Sequence, residues 1–381
     1  MTISIADILA REPQGPCPSL LGTLKLIKAF LPRYITFQKK EHTIAVVLWI
    51  VHTWVFDAFD YSPYLFITSP LKRCGKSRVF DCLQLLCNKS FLVISPTEAV
   101  LFRKIEQDTP TLLVDEVDTI FKQNGTDENK EGLRAILNAG FYRGAIVPRC
   151  VGPQFDLKDF RVFCPKALAG INKCIPDTVA DRSITIVMAR QMPGQSERFR
   201  AREAAPIAEP IAKALQNWAR IDTKLHLSNA RPNIPGELGD RAADICEPLL
   251  AIADMAGGEW PEAARASLVK LCTESESDDD SIGIQLLRAI REIFAQTGGD
   301  RISTQSLLDE LVARDNGEPW GAWWSRDITA GNHRGPSARL AKLLKPFAIN
   351  SQNIKENGGV FKGYKLQWFE DAFSRYLVSS V

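Results

Sequence analysis

The chain has 381 residues and a mass of 42.4 kDa, enough for two or three domains at roughly 150 residues each. Hydrophobic residues make up 45% and charged residues 24%, a globular composition that excludes a disordered tail, a collagen-like fibre and a disulfide-knotted mini-protein. Lys+Arg 47 against Asp+Glu 45 gives a formal charge of +2. That excludes a polybasic coat on nucleic acid, though not a basic channel on one face.

Nine cysteines run from Cys17 to Cys272 with no CxxC pair and no zinc-ligand spacing. Cys82 and Cys87 fall in an apolar run and read as small core residues. A reducing, cytoplasmic setting is expected rather than a disulfide framework. The N-terminus lacks the basic-then-apolar order of a signal peptide.

The first 40 residues hold an amphipathic segment, Leu20–Tyr34, followed by Lys39 and Lys40. IAVVLWIVHTWVF (44–56) is strongly apolar, but it contains His52 and falls short of the ~20 residues a membrane span needs. A buried helix over 42–58 is the expectation, with no membrane association. PYLFIT (63–68) then reads as a buried parallel strand, FLVIS (91–95) as a second, and TLLVDEVD (111–118) as a third ending in acids. Residues 96–107 and 127–141 are expected to be helical. RGAIVPRCVG and RVFCPKALAGI are expected as two strands around a turn, PQFDLKDF, before a last strand, SITIVMA (183–189). Strands alternating with helices through 63–189 predict a parallel sheet covered on both faces. From 204 to 272 the pattern is helical, and the acidic run TESESDDDS (273–281) reads as a linker. Residues 282–381 suit a small α+β domain of winged-helix type: helices at 284–296, 303–314 and 336–345, then a hairpin around Asn357, Gly358 and Gly359. The expected organisation is an N-terminal helical segment (1–40), an α/β core (41–200), a helical lid (201–275) and the winged-helix-like domain (282–381).

ITSPLKRCGKSR (67–78) follows a strand and opens a helix, the context a phosphate-binding loop of the form GxxxxGK[ST] requires. Pro70 stands where the first glycine of that pattern falls, and Cys74, Gly75, Lys76, Ser77 and Arg78 complete the stretch. Gly75 lets backbone approach phosphates, Lys76 brings a point charge, and Ser77 offers a hydroxyl to Mg²⁺. Some 40 residues on, Asp115 closes an apolar strand as a candidate Mg²⁺ ligand, and Glu116 follows it as a candidate activator of water. Either motif alone has a bland reading, as an incidental loop or a pair of helix-capping acids; the two together, at this order and spacing, define a candidate nucleotide site. Asn172 ends the apolar stretch ALAGIN, where it can orient an attacking water, and a turn-forming Asn is the competing reading. Arg182 precedes the last strand and can reach a neighbouring subunit's phosphate, with a surface salt bridge as the alternative. Arg241, opening a helix of the lid, is a weaker candidate reporter on bound nucleotide.

The set Gly-Lys-Ser, Asp-Glu, Asn172, Arg182 and a helical lid resembles an AAA+ ATPase. SPLKRCGKSR, TLLVDEVDTIF, LNAGFYRGAIVPRCVG, LAGINKCIPDTVADRSITI, GDRAADICEPLLAIADMAGGEWP and KGYKLQWFEDAFSRYL together resemble a poorly characterised helicase-like family of phages, plasmids and integrated elements. Its members are often joined to a primase–polymerase module. The resemblance covers about 40–381 and includes the proline at the first glycine position. It implies a P-loop NTPase fold, ATP and Mg²⁺ as cofactors, Lys76 and Ser77 as the P-loop pair, Asp115 and Glu116 as the Walker B acids, Asn172 as the sensor, and Arg182 as a trans-acting arginine finger. It also implies a homo-oligomeric ring such as a hexamer acting on single-stranded or forked DNA. Forty residues before the core are too few for a primase–polymerase, so either a separate chain is expected to supply one or the protein has a different task.

Arg143, Arg149, Lys158 and Arg161 surround the expected hairpin and are candidate pore-loop contacts to nucleic acid, against a solvated hairpin as the plain reading. Arg334, Arg339, Lys342 and Lys345 on the third helix of the C-terminal domain, with Lys355, Lys362 and Lys365 on its wing, are candidate DNA contacts, against a domain that only packs. The tryptophans of PWGAWW (319–324) are expected to bury one another. The leading functional expectation is a DNA-acting ATPase motor. The alternatives are a nucleotide-gated DNA-binding switch and, more weakly, a metabolic P-loop kinase.

Overall fold

The structure is a computed structural model and describes residues 19–94, 96–121, 128–153, 155–172, 174–192, 194–278, 282–314, 318–356 and 359–377. The chain forms two compact units, Met1–Ser275 and Glu276–Val381.

The first unit begins with α1 (Leu20–Tyr34), capped where Ser19 Oγ accepts the Gly22 N–H at 3.1 Å. Pro32 is accommodated within its last turn. The apolar segment forms α2 (Lys40–Val55), buried nearly all round, as a helix without a polar face must be. Two polar groups inside it find partners. Trp49 Nε1 donates to the Pro63 carbonyl at 2.8 Å, and the His52 ring meets Ser62 Oγ at 3.0 Å. Among the described residues no helix is long and apolar enough to cross a membrane.

The sheet contains β1 (Tyr64–Ser69), β2 (Ser90–Ile94), β3 (Thr111–Asp115), β6 (Lys166–Ile171) and β7 (Ser183–Val187), in the order β2-β3-β6-β1-β7 and all parallel. Every residue of β1 is buried, which is why its sequence reads as an unbroken apolar run. The helices α3 (Lys76–Leu86), α4 (Glu98–Asp108), α5 (Val117–Phe121) and α6 (Glu128–Ala139) connect or follow the strands. The third strand ends at Asp115, three residues earlier than the sequence implies, because α5 begins at Val117. Ser95, at the end of the second expected strand, lies outside the described residues.

Between α6 and β6, β4 (Ile146–Val151) and β5 (Asp156–Arg161) form an antiparallel hairpin. This corrects the expected turn. Five residues of PQFDLKDF, Asp156 to Phe160, and the neighbouring Arg161 are strand, and the sheet strand that follows begins only at Lys166. The cause is visible in β5, where Phe160 is the one buried residue, so a half-exposed charged strand looks like a loop in sequence.

The short helix α7 (Asp177–Ala180) leads into β7, and four helices follow: α8 (Ala201–Trp218), α9 (Ile221–Ser228), α10 (Asp240–Ala256) and α11 (Trp260–Asp278). α8 packs on α1 and α3, and α10 on α2, so the helical region shares one core with the sheet. The expected linker is corrected in part. α11 carries the acidic run to Asp278, while 279–281 lie outside the described residues.

The second unit runs α12 (Ile282–Thr297), β8 (Arg301–Ser303), α13 (Thr304–Ala313), α14 (Trp320–Thr329), α15 (Arg334–Leu344), β9 (Gln352–Glu356), β10 (Gly359–Lys365) and α16 (Glu370–Tyr376), with a sheet ordered β8-β10-β9. The tryptophan cluster forms the additional helix α14. Trp320 and Trp324 are fully buried with rings stacked at 5.5 Å, and Trp323 stays 41% exposed. β9 and β10 pair antiparallel, while Asn357 and Gly358 of the expected turn lie outside the described residues.

Candidate functional site

Loop 70–75 leaves the end of β1 and delivers the chain into α3. Gly75 caps that helix at φ +84°, and Arg73 stands at φ +63°, so the backbone passes twice through the left-handed region. The turn aims the first N–H groups of α3 toward open space, a setting that favours an anion. Lys76 lies back along the loop, its Nζ donating to Ser69 Oγ at 2.7 Å, and Ser69 Oγ in turn donates to the Leu71 carbonyl at 2.7 Å. Ser77 Oγ donates to Asp115 Oδ2 at 3.4 Å. Sites 38 residues apart in sequence therefore converge on one edge of the sheet.

Glu116 follows at φ +57°, its N–H bonded to Asp115 Oδ1 at 2.8 Å and its side chain exposed. Asn172, at φ +58°, is fixed through its backbone: its N–H donates to the Ser69 carbonyl at 3.0 Å and its carbonyl accepts Thr68 Oγ1 at 2.8 Å. Its position follows from strand order. β6 lies between β1 and β3, so the residue after β6 emerges between Lys76 and Glu116. Gly170 is needed below it, because a Cβ there would meet Cys174 Sγ at 2.3 Å and Val117 Cγ2 at 3.0 Å.

A cavity of about 690 Å³ opens beside the loop. Cys74, Gly75, Lys76 and Ser77 line one side and Tyr34, Arg190, Arg198 and Phe199 another. Its size falls in the roughly 300–1,000 Å³ range of small-ligand sites. Cys74 is buried, with Sγ toward the Lys72 carbonyl, and contributes backbone rather than an accessible thiol. Pro70 belongs to the loop but not to the cavity wall. The Arg78 guanidinium is already engaged, paired with Asp81 at 2.7 Å and stacked on Phe199 at 4.8 Å. Burial raises the Asp81 carboxyl above its ordinary pKa; Arg78 draws it down and Asp115 adds to the rise.

The pair Ser77 and Asp115 fits a magnesium ion on its donor chemistry. A hydroxyl and a carboxylate oxygen 3.4 Å apart are close to the roughly 3 Å between neighbouring ligands of an octahedral ion with 2.1 Å bonds. Among the described residues no group of three or more His, Cys, Asp or Glu side chains could cage a metal alone. Such an ion would share its shell with water and ligand phosphates, as Mg²⁺ does.

Two expected arginines lie elsewhere. Arg182 precedes β7, and its carbonyl accepts the Tyr64 N–H at 2.9 Å, at the opposite end of β1 from the loop. Its guanidinium donates to the Thr178 carbonyl and sits 5.8 Å from the Phe141 ring centroid. Arg241 is 5.7 Å from the same ring and pairs with Asp244 at 3.3 Å. β1 spans about 17 Å at roughly 3.3 Å per residue, so neither arginine reaches the loop of its own chain. Arg241, the weaker candidate reporter on bound nucleotide, thus lies away from the loop of its own chain. The helix it opens begins at the far end of the sheet.

The expected nucleic-acid residues divide similarly. Arg143 Nε donates to the Phe59 carbonyl at 3.0 Å and its guanidinium also bonds the Asp57 carbonyl, so it braces the turn before β1. Arg149 pairs with Glu98 at 3.5 Å and Lys158 with Glu106 at 2.7 Å, both on α4. The tip of that hairpin instead exposes Phe155 (77%) and Leu157 (74%). In the second unit Arg334, Arg339, Lys342 and Lys345 are exposed along α15 and its end, with Lys355 and Lys362 exposed on β9 and β10. Among the described residues none of these six has a carboxylate partner. Arg190 and Arg198 are among the cavity residues sequence reading missed, with Tyr34, Arg73 and Phe199. Arg190 and Arg198 come from an irregular segment, and only their basic character marks them.

Residues 187–376 match a family described as a protein of unknown function, DUF3631. An uncharacterized 28.9 kDa protein in a xis 5′ region of Saccharopolyspora erythraea is 37% identical over 194 residues, covering 50% of this chain and 68% of that protein. The chain belongs to the same family as this protein. Among solved structures, the apo NrS-1 C-terminal region is similar at 12% identity and TM-score 0.41, over 94% of this chain and 78% of that one. The JCV helicase is similar at 15% identity and TM-score 0.27, over 71% and 63%. A structure of Drosophila ORC bound to DNA is similar at 12% identity and TM-score 0.25, over 94% and 92%. With every score below 0.5, the function has to be argued from the site itself.

Proposed function

We propose that the protein is a Mg²⁺-dependent ATPase of P-loop, AAA+-like type that acts on DNA. The observation carrying this reading is the approach of Ser77 to Asp115 at 3.4 Å, beside a loop whose Gly75 is left-handed and whose Lys76 lies along the phosphate-facing edge. Lys76 and the loop N–H groups would hold the β- and γ-phosphates, and Ser77 and Asp115 would hold Mg²⁺, which when bound neutralises charge on the phosphates. Glu116, exposed and held by its backbone, is placed to take a proton from the attacking water, and Asn172 to orient it. Arg182, remote from its own loop, would complete the site of a neighbouring copy, making hydrolysis depend on assembly. The unpaired cations of α15, β9 and β10 support a DNA-binding face of winged-helix type. The setting in a phage or mobile element, and a separate primase–polymerase partner, rest on the motif resemblance alone.

The second reading, a nucleotide-gated DNA-binding switch without unwinding, draws support from the hairpin. Arg149 and Lys158 are occupied by α4 carboxylates rather than presented to a strand. The deciding experiment measures particle size and ATPase rate together, with and without single-stranded DNA, and then strand displacement on a forked duplex. A motor assembles, hydrolyses and unwinds; a switch assembles and hydrolyses slowly without unwinding. Absence of nucleotide binding in the folded protein would end both readings.

A further inference from the structure

The cavity beside loop 70–75 holds more positive charge than the phosphate-loop motif supplies. Lys76 and Arg73 come from the loop, and Arg190 and Arg198 from the chain between β7 and α8. Both of the latter are exposed, and among the described residues neither has a carboxylate partner. Their backbones are nonetheless anchored. Two residues before Arg190, the Met188 N–H donates to the Thr68 carbonyl at 2.7 Å, which ties that end to β1. Immediately before Arg198, the Glu197 N–H donates to the Arg33 carbonyl at 2.7 Å. The Glu197 carboxylate takes both arms of the Arg33 guanidinium, at 3.2 and 3.0 Å. Among the described residues, the one acid on the cavity wall is thereby neutralised by α1, leaving the wall cationic. Phe199, stacked on Arg78 and edge-on to Tyr34 at 5.2 Å, adds a flat wall that needs no further charge.

Unpaired guanidinium groups on fixed backbone suit phosphate, because their fork of donors can bond two oxygens at once. We propose that Arg190 and Arg198 grip the phosphate tail of a nucleoside triphosphate bound in their own subunit. The inference rests on the nucleotide-site reading above and adds two residues to it. It also explains how the site can lack Arg241 without lacking a second source of positive charge.

The test is calorimetric titration of the full-length protein with ATP and with AMP, in the presence of Mg²⁺. Arg190→Ala and Arg198→Ala should each weaken ATP binding about tenfold, the difference a charge-assisted hydrogen bond makes. AMP, whose single phosphate cannot span the wall, should change less than threefold. Because both side chains are exposed and without carboxylate partners, the melting temperature should not move. Arg198→Lys should recover part of the affinity as a point charge without the fork. Arg200→Ala is the control. Arg200 pairs with Glu203 and is absent from the cavity wall, so its removal should leave ATP binding unchanged. If wild type binds ATP and the Arg190→Ala/Arg198→Ala double variant binds it equally well, the inference is overturned while the nucleotide site stands. If folded wild type binds neither ATP nor AMP, the site reading fails and takes the inference with it.

Discussion

On the proposed reading, Gly75 is what separates a phosphate cradle from an ordinary turn. Its φ of +84° is one an alanine adopts at a cost of about 1–2 kcal/mol. Space is not the obstacle, since a Cβ at this position would meet only Met188 Cε, at an ordinary 3.8 Å. The stability loss in Gly75→Ala is therefore conformational, and at about 2–4 °C per kcal/mol it lowers the melting temperature by about 2–8 °C. Asparagine tolerates the left-handed region, so Gly75→Asn should regain most of that stability. Nucleotide binding should not follow. Gly75 lines the cavity, and any Cβ there stands where backbone N–H groups must approach phosphate oxygens. Losing one such bond, worth about 1.5–3 kcal/mol to a charged acceptor, weakens ATP roughly 10- to 100-fold in both variants. Thermal melting and calorimetric titration on the same preparations give the two numbers. If Gly75→Asn restores ATP affinity along with stability, the glycine serves the turn alone and the cradle reasoning is wrong.

Other consequences can be tested separately. Asp115→Asn and Ser77→Ala should bind ATP in EDTA as wild type does, yet lose the affinity gained on adding Mg²⁺ and at least about 100-fold in hydrolysis; an undiminished magnesium effect would remove these residues from the metal site. Arg182→Ala and Lys76→Ala should each be inactive alone, and a 1:1 mixture should recover about a quarter of the wild-type rate if one chain completes its neighbour's site. A mixture as dead as its components would place Arg182 outside catalysis. Burial holds the His52 imidazole neutral, lowering its pKa from 6.5 to about 3. The unfolded chain takes up a proton that the folded one refuses as pH falls from 6.5 toward 3, so folding stability should drop across that window by up to about 1.4 kcal/mol per pH unit. His52→Gln should flatten the profile, and equal slopes in the two proteins would count against this assignment. Arg339→Ala/Lys342→Ala should reduce the log–log salt slope of duplex binding by about 2, and a slope left unchanged would remove α15 from the DNA contacts.

The turn between β1 and α3 was legible because Gly75, Lys76 and Ser77 stand together between an apolar strand and a helix, the setting a phosphate-binding loop would need. The parallel strands were legible because burial on both faces leaves continuous aliphatic runs. β5 was not, since DLKDFR buries only Phe160 and its Lys158 reaches across to Glu106 on α4. The acidic end of α11 was not, because helix propagation through TESESD outweighs the absence of apolar anchors. Arg143 illustrates a further limit. A basic residue beside a hairpin looks like a nucleic-acid contact until its donors are found on the carbonyls of Phe59 and Asp57. The place of Arg241 was not legible for a topological reason, since sequence cannot say at which end of a sheet a distant helix will begin.

Backbone strain marks the site without reference to any motif. Among the described residues, three of the seven non-glycine residues with positive φ, Arg73, Glu116 and Asn172, lie on the edge of the sheet where Gly75 also turns left-handed. Each such conformation costs of order 1–3 kcal/mol and persists only where its surroundings over-determine it. Here they do: Glu116 is held by the Asp115 carboxylate, and Asn172 by Ser69 and Thr68. Glycine takes the same region at Gly152, Gly194 and Gly257, while Lys89, Thr109, Phe155 and Ala348 take it singly elsewhere in the chain. What distinguishes Arg73, Glu116 and Asn172 is that the three gather beside one loop, together with Gly75. The strand order explains why they meet, since placing β6 between β1 and β3 brings the end of each beside the loop.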